Sequence, residues 1–288
     1  MISYISYSQL ARDVRTLANV LRGKIDGVIG IPRSGMIAAL MLGEHLNLPV
    51  VSVQEFCEVG FSCAKSGPRL LRDRPAFESQ PMKGSAVLLD DSVHSGMAMK
   101  FAAEQIADAD HPNWRICRAA VYGSPDAPEG LLHYCGESLA KPRFFEWNWT
   151  HHADMKNALW DMDGVICHDP DVIDDDGENY DRAIGRVWPK YLPTLPIGGI
   201  VTGRLERWRP HTEDWLRRHG VQYGSLTMGK WESADRRRAS GAVAHYKASV
   251  YRESNAWLFV ESDIEQAIDI QKMSGKPVFC PDLGDIQQ

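Results

Sequence analysis

The 288-residue chain has few cysteines, no long apolar run and no excess of basic charge. Each shortage excludes something. The six cysteines, at 57, 63, 117, 135, 167 and 280, include no Cys-x-x-Cys pair. That excludes the common zinc sites and a disulfide frame, and leaves reduced thiols. No apolar segment approaches the roughly 18 residues of a membrane-spanning helix. Met1–Tyr7 lacks the basic start and apolar core of a secretion signal. A cytoplasmic location with no membrane partner is therefore expected. A formal net charge of −6 argues against general nucleic-acid binding, though not against a local basic groove. What is present, 44% apolar and 24% charged residues, is the composition of a globular protein. The length suits two ordinary domains or one large one.

Both halves alternate strands with helices, which favours an α/β fold built on parallel sheets. In the first half, Ser8 is a candidate N-cap for a helix through about Leu21. Strands follow at Gly27–Ile31, Pro49–Val53, Ala86–Leu89 and Arg115–Tyr122, with helices at Met36–Leu46 and Met97–Ala107. Residues 57–82, rich in Gly, Pro, Ser and Arg, read as the longest loop. A boundary is expected in the polar stretch near Thr150–Asp154, which gives domains 1–152 and 153–288. The second half reads as strands at 158–161, 197–201, 225–228, 257–260 and 277–279. Its helices are expected at 210–219, 239–249 and 264–273.

Two acidic strand ends carry the chemistry, because ligands bind at the carboxyl ends of strands in an open α/β sheet. The first is Val87–Gly96. After its apolar strand, the adjacent carboxylates of Asp90 and Asp91 suit sugar hydroxyls or magnesium. The turn Ser92, Val93, His94, Ser95, Gly96 and Met97 then offers amides and the Ser95 hydroxyl to a phosphate. Upstream, Gly30-Ile31-Pro32-Arg33-Ser34-Gly35 joins a strand to a helix, where exposed amides and Arg33 favour an anion. Alone, that loop is equally an ordinary strand–helix turn, and the acidic pair has a purely structural alternative.

Together these residues resemble the type I phosphoribosyltransferases over roughly residues 1–150. The resemblance implies Asp90 and Asp91 at the ribose hydroxyls of phosphoribosyl pyrophosphate (PRPP). It implies Ser92 to Met97 around the 5′-phosphate, Arg33, Ser34 and Gly35 at the pyrophosphate, and magnesium arriving with the diphosphate. Ala98 departs from the pattern, since many relatives have another hydroxyl residue there. The loop 57–82 corresponds to the flexible flap of that family, where Lys65, Arg69, Arg72 and Arg74 would close over the diphosphate. A solvated basic loop is the alternative. Phe144–Trp149 stands where a base-binding hood would sit, with Trp147 or Trp149 to stack on a base and Asn148 to read its edge. Aromatic residues at alternating positions equally describe a strand packed on the core.

The second acidic end is Asp161-Met162-Asp163-Gly164-Val165. Phosphoryl transfer through a carboxylate needs a nucleophile, an acid for the leaving oxygen and cations to offset charge. Asp161 and Asp163 supply two carboxylates and Thr202 a hydroxyl at another strand end. Lys230 or Lys247 supplies a cation, and Glu261 and Asp263 supply further carboxylates. This set, in this order, resembles the haloacid dehalogenase-like (HAD) hydrolases over roughly residues 156–288. The resemblance implies a Rossmannoid domain with Asp161 as nucleophile through an aspartyl-phosphate and Asp163 as general acid/base. It implies Thr202 at the phosphoryl group, Lys247 rather than Lys230 beside the intermediate, and magnesium held by Asp161, Asp163 and Glu261 or Asp263. The second acid favours a phosphatase over a dehalogenase. The short intervals between motifs leave little or no cap, with His168–Gly185 as a small flap at most. Arg204, Arg207, Arg209 and Thr212, with Trp215-Leu216, are similar to the phosphatase part of polynucleotide kinase-phosphatases. Those basic residues, Arg204 among them, would then hold a nucleotide's second phosphate or a nucleic-acid end, against the alternative of a solvated helix face.

The leading expectation is a bifunctional enzyme of nucleotide metabolism. It would transfer phosphoribose from PRPP to a base and then dephosphorylate the nucleotide, with Mg2+ as cofactor and small molecules as partners. Homo-oligomer formation is left open. One alternative is a phosphatase regulated by a non-catalytic domain that binds PRPP or a nucleotide. The other is a nucleic-acid end-processing phosphatase. Such fused pairs also resemble proteins associated with bacterial tellurite-resistance and stress-response systems.

Overall fold

The computed structural model describes residues 2–63, 83–170 and 177–288. The expected flap residues Lys65, Arg69, Arg72 and Arg74 and the acidic run Asp174–Asp176 lie outside the described residues. The chain divides into two compact units. One comprises Ile5–Arg143; the other joins Met1–Tyr4 to Phe144–Gln288.

In chain order, β1 (Ser3–Ile5) precedes α1 (Tyr7–Leu21), β2 (Gly27–Gly30), α2 (Gly35–Leu46), β3 (Val50–Ser52) and α3 (Val53–Val59). After these come β4 (Gly84–Val93), α4 (Met97–Asp108), β5 (Trp114–Gly123), β6 (Tyr134–Ser138) and β7 (Arg143–Phe145), which forms a two-stranded sheet with β1. Strands β2 to β6 form a five-stranded sheet in the order β3-β2-β4-β5-β6, with every neighbour parallel. The apolar runs of β2 and of β4 are buried, as strands covered on both faces require. The cap of α1 lies two residues before the expected Ser8: the Ser6 hydroxyl accepts from the Gln9 amide. The expected loop at 57–82 starts too early as well. Ser52 and Glu55 form a capping box that launches α3, and a 3-10 turn continues through Gly60–Cys63.

The second unit holds β8 (Ala158–Trp160), α5 (Glu178–Ile184), β9 (Gly199–Leu205), α6 (Arg209–Arg218) and β10 (Leu226–Gly229). It ends with α7 (Ala234–Ser240), α8 (Val243–Glu253), β11 (Leu258–Val260), α9 (Ile264–Ser274), β12 (Val278–Cys280) and β13 (Asp285–Gln287). Its six-stranded sheet has the order β10-β9-β8-β11-β12-β13, parallel except for β13. The parallel α/β reading therefore holds for both halves. The single helix expected at 239–249 is two helices: Gly241 takes φ 57°, and α8 restarts at Val243.

The units divide at Arg143/Phe144 rather than at 152/153. The reason is apolar burial. Phe144 and Trp149 belong to the second unit's core, where Trp149 stacks on Trp160 with ring centroids 4.9 Å apart. Ile2 joins the same core, and its amide donates to Gln288 Oε1 (2.8 Å). Among the described residues, no helix is long and apolar enough to cross a membrane.

Candidate functional site

In the first unit the acidic pair lies within β4 rather than beyond it. Asp90 and Asp91 are both buried, and the Asp91 amide donates to Asp90 Oδ1 (3.0 Å). Burial first, and then the neighbouring Asp91 carboxylate, push the Asp90 carboxyl up to about 8. The loop expected to meet a pyrophosphate runs from β2 into α2, and the Pro32–Arg33 peptide is cis. Ser34 precedes α2 without capping it; its hydroxyl donates instead to Asp91 Oδ1 (2.8 Å). Gly35 is required by close approach. A Cβ there would stand 2.8 Å from Asp90 Oδ1 and 3.1 Å from the Leu89 carbonyl oxygen. The structure thus brings Ser34, Gly35, Asp90 and Asp91 together, with Arg33 exposed beside them.

The turn after Asp91 divides its residues. Val93 is a core side chain, and its carbonyl accepts from the Ser124 amide (2.8 Å). The Ser95 hydroxyl accepts from the Met97 amide (3.5 Å), and the Met97 side chain is exposed. Gly96, in the left-handed region, ends the turn, and His94 keeps a buried Nδ1 without a hydrogen-bond partner. Arg143 is a residue the motifs did not announce. Buried, it donates through Nη2 to Ser92 Oγ (2.9 Å) and the Val93 carbonyl (3.0 Å), and through Nη1 to the Leu139 carbonyl. Its separation of about 50 residues from the turn hid it. Trp147, expected at the base, belongs to the other compact unit and stacks on Phe145 at 4.9 Å.

In the second unit, Asp161 follows β8 directly and is buried, with its amide donating to the Val260 carbonyl (2.9 Å). Lys247 on α8 reaches it: Nζ lies 2.9 Å from Asp161 Oδ2 and 2.7 Å from Glu261 Oε2, and donates to Gln266 Oε1 at 3.2 Å. Burial opposes charge on Lys247, but Asp161 and Glu261 outweigh it and push its pKa up. Burial and Glu261 likewise push Asp161 up, against the pull of Lys247. Asp161 Oδ1 is buried with no hydrogen-bond partner. Thr202, on β9, is buried, and its Oγ1 accepts from the Arg204 amide (3.1 Å). Lys230 is exposed and borders a separate cavity with Arg209 and Trp231.

Asp161, Asp163, Thr202, Lys247, Glu261 and Asp263 all line one cavity of about 720 Å3. Asp169, Arg237 and Gln266 are among the further lining residues that escaped the sequence reading. Burial, and next Asp163, push Asp169 up.

Arg204 is a correction. It was expected to face a second phosphate or a nucleic-acid end, yet its side chain is 0% exposed and holds Asp163. Of its companions, Arg209 is paired with Glu206 and Glu213, and Thr212 is buried.

The carboxylates expected to hold magnesium are held by protein partners in the fold. Among the described residues, no three His, Cys, Asp or Glu side chains are arranged to hold a metal ion. The carboxylates are already engaged: Asp161 Oδ2 and Glu261 Oε2 by Lys247, and Asp163 by Arg204. Glu261 Oε1 accepts from the Asp263 amide (3.2 Å), and Asp263 Oδ1 caps α9 through the Gln266 amide (2.9 Å). Asp161 Oδ1 is buried without a hydrogen-bond partner.

No family model matches the chain. It is 23% identical over 158 residues to the xanthine-guanine phosphoribosyltransferase of Idiomarina loihiensis, covering 54% of this chain and 91% of that protein. It is 26% identical over 137 residues to the xanthine-guanine phosphoribosyltransferase of Gluconobacter oxydans, covering 46% and 76%. Among solved structures, a purine phosphoribosyltransferase from Pyrococcus horikoshii is 20% identical, covering 51% of this chain and 94% of its own with a TM-score of 0.36. The two xanthine-guanine relatives support a type I phosphoribosyltransferase domain over about half of the chain.

Proposed function

We propose that the protein is a two-site enzyme that joins a purine to phosphoribose and then removes the 5′-phosphate of the nucleotide formed. The observation that carries the reading is a recurrence. Each of two parallel sheets presents buried aspartates that meet a strand-to-helix turn at the first site and a buried lysine at the second. The purine is taken from the relatives, both xanthine-guanine phosphoribosyltransferases.

At the first site Asp90 and Asp91 accept hydrogen bonds from ribose hydroxyls, which relieves two crowded carboxyl groups. Amides of the Ser92–Met97 turn hold the 5′-phosphate, and Arg33 with Ser34 meets the diphosphate. Magnesium arrives bound to that diphosphate, as part of the substrate. The purine nitrogen bonds to the ribose carbon as the carbon–oxygen bond to diphosphate breaks.

At the second site Asp161 attacks the phosphorus, and the phosphorus–oxygen bond to the nucleoside breaks. The nucleoside oxygen takes a proton from the Asp163 carboxyl and leaves as an alcohol. Water then attacks the aspartyl-phosphate and gives its proton to Asp163, releasing phosphate and restoring Asp161. Lys247 offsets the negative charge beside Asp161. Thr202, whose oxygen already accepts from the Arg204 amide, keeps its own proton to donate to a phosphoryl oxygen. Removal of the nucleotide draws the reversible transfer forward.

Incubation with PRPP, magnesium and guanine, xanthine or hypoxanthine tests this, with diphosphate, phosphate and nucleoside followed by mass spectrometry. Asp161→Asn should accumulate nucleotide with no free phosphate. Asp90→Asn should stop diphosphate release. Wild-type protein that consumes no PRPP with any purine would end the transferase reading. Wild-type protein that leaves added nucleotides intact would end the phosphatase one.

A further inference from the structure

Arg204 is the residue of the second site whose placement its sequence motif least foretold. Its guanidinium is 0% exposed, and the Asp163 side chain it holds is 20% exposed. Nε donates to Asp163 Oδ2 (2.9 Å) and Oδ1 (3.1 Å), and Nη2 donates to Oδ1 (2.5 Å). The other contacts are fixed as well. Nη1 donates to Thr212 Oγ1 (3.2 Å) on α6, and Nη2 also approaches Cys167 Sγ (3.4 Å). The backbone amide of the same residue donates to Thr202 Oγ1. One residue on β9 therefore orients a side chain arriving from β8 and the hydroxyl of its own strand. A fork that grips both carboxylate oxygens fixes the plane of the carboxyl group as well as its position.

Resting on the phosphatase reading above, we infer that Arg204 is a positioning residue. It holds the Asp163 carboxyl in the orientation from which its proton reaches the departing oxygen, and sets Thr202 at the phosphoryl group through its amide. Its side chain is not among those lining the cavity, so it acts through Asp163 rather than on substrate. A lysine in its place keeps a positive charge but not the planar fork.

The chemistry supplies a selective readout. An alkyl phosphate, such as a nucleotide, expels a poor leaving group that needs the proton of Asp163. p-Nitrophenyl phosphate expels a stable phenolate that does not. A positioned general acid contributes on the order of 100- to 10,000-fold. Arg204→Lys should therefore lower kcat for a nucleoside 5′-monophosphate by about 100-fold while changing kcat for p-nitrophenyl phosphate by less than about 5-fold. KM should stay near that of the wild type for both. In an Asp163→Asn background, Arg204→Lys should cause no further selective loss, because its effect runs through Asp163. Equal losses on both substrates, or losses that multiply with those of Asp163→Asn, overturn the positioning role. If the wild type hydrolyses neither ester, the phosphatase reading itself falls, and this inference with it. If Arg204→Lys does not fold, Thr212→Val removes only the outer support of the guanidinium. It should then produce a smaller loss with the same selectivity, and a non-selective loss there overturns the proposal.

Discussion

Asp90 stores a pH dependence in a single carboxyl group. Its ordinary value is 3.8; burial and Asp91 push it up to about 8 in the fold. Between those values the folded chain keeps a proton that the unfolded chain has released. Unfolding then becomes easier as pH rises across that window, and the effect saturates above it. Asp90→Asn removes the contribution. Thermal denaturation from about pH 5 to about pH 9 should give a flatter profile for the variant, and a higher midpoint than wild type at the alkaline end. A variant that tracks the wild-type profile throughout would show that Asp90 titrates elsewhere. Asp161 is pushed in the same direction, so the comparison is made between variant and wild type rather than read from the wild-type slope alone. At this scale the motifs named the acidic residues correctly as neighbours, but not their state. Local sequence contains neither the burial of Asp90 nor the ammonium that reaches Asp161 from 86 residues away.

Elements explain why the acidic residues are buried at all. The start of α2 lies against the end of β4 because Gly35 has no side chain, and Ser34 then reaches Asp91. Gly35→Ala forces backbone apart at Leu89 and Asp90. It should cost about 1–3 kcal/mol of stability in urea denaturation, as overpacked cores do, and sharply reduce diphosphate release. Normal release from a folded Gly35→Ala protein would mean that this junction is not the transfer site. The strands that carry these junctions were legible, because a strand buried on both faces must be a continuous apolar run. The edge strands β3 and β10 were legible too, but β6 and β13 were not. β6 (Tyr134–Ser138) is mostly exposed and polar, and β13 (Asp285–Gln287) contributes one buried side chain, so neither leaves a period to read. The break between α7 and α8 was hidden too: Gly241 interrupts a stretch whose other residues all tolerate a helix.

On the scale of the whole molecule, two compact units organise the chain, and its first residues serve the second. Ile2 is 7% exposed within the core of the Phe144–Gln288 unit, and its amide is held by Gln288. Ile2→Ala should destabilise that unit by roughly 2 kcal/mol or more. Hydrogen exchange should quicken in peptides from 144–288 and remain unchanged in those from 5–143. Faster exchange confined to 5–143 would reverse the assignment of the N-terminal strand.

The sequence by itself determined the parallel α/β architecture, the two acidic strand ends and the order of Thr202, Lys247 and Glu261 behind Asp161. Period, apolar runs and motif spacing are local properties that survive without coordinates. Only the tertiary structure decided which partner each carboxylate takes, because that depends on burial and on contacts between distant residues. It moved Arg204 from the surface to Asp163, brought Arg143 behind Ser92 and drew Phe144 and Trp149 into the second core. It also spent the expected magnesium carboxylates on Lys247, Arg204 and the cap of α9. Buried charges must be paired within the fold, and that requirement, invisible to any single motif, chose their partners.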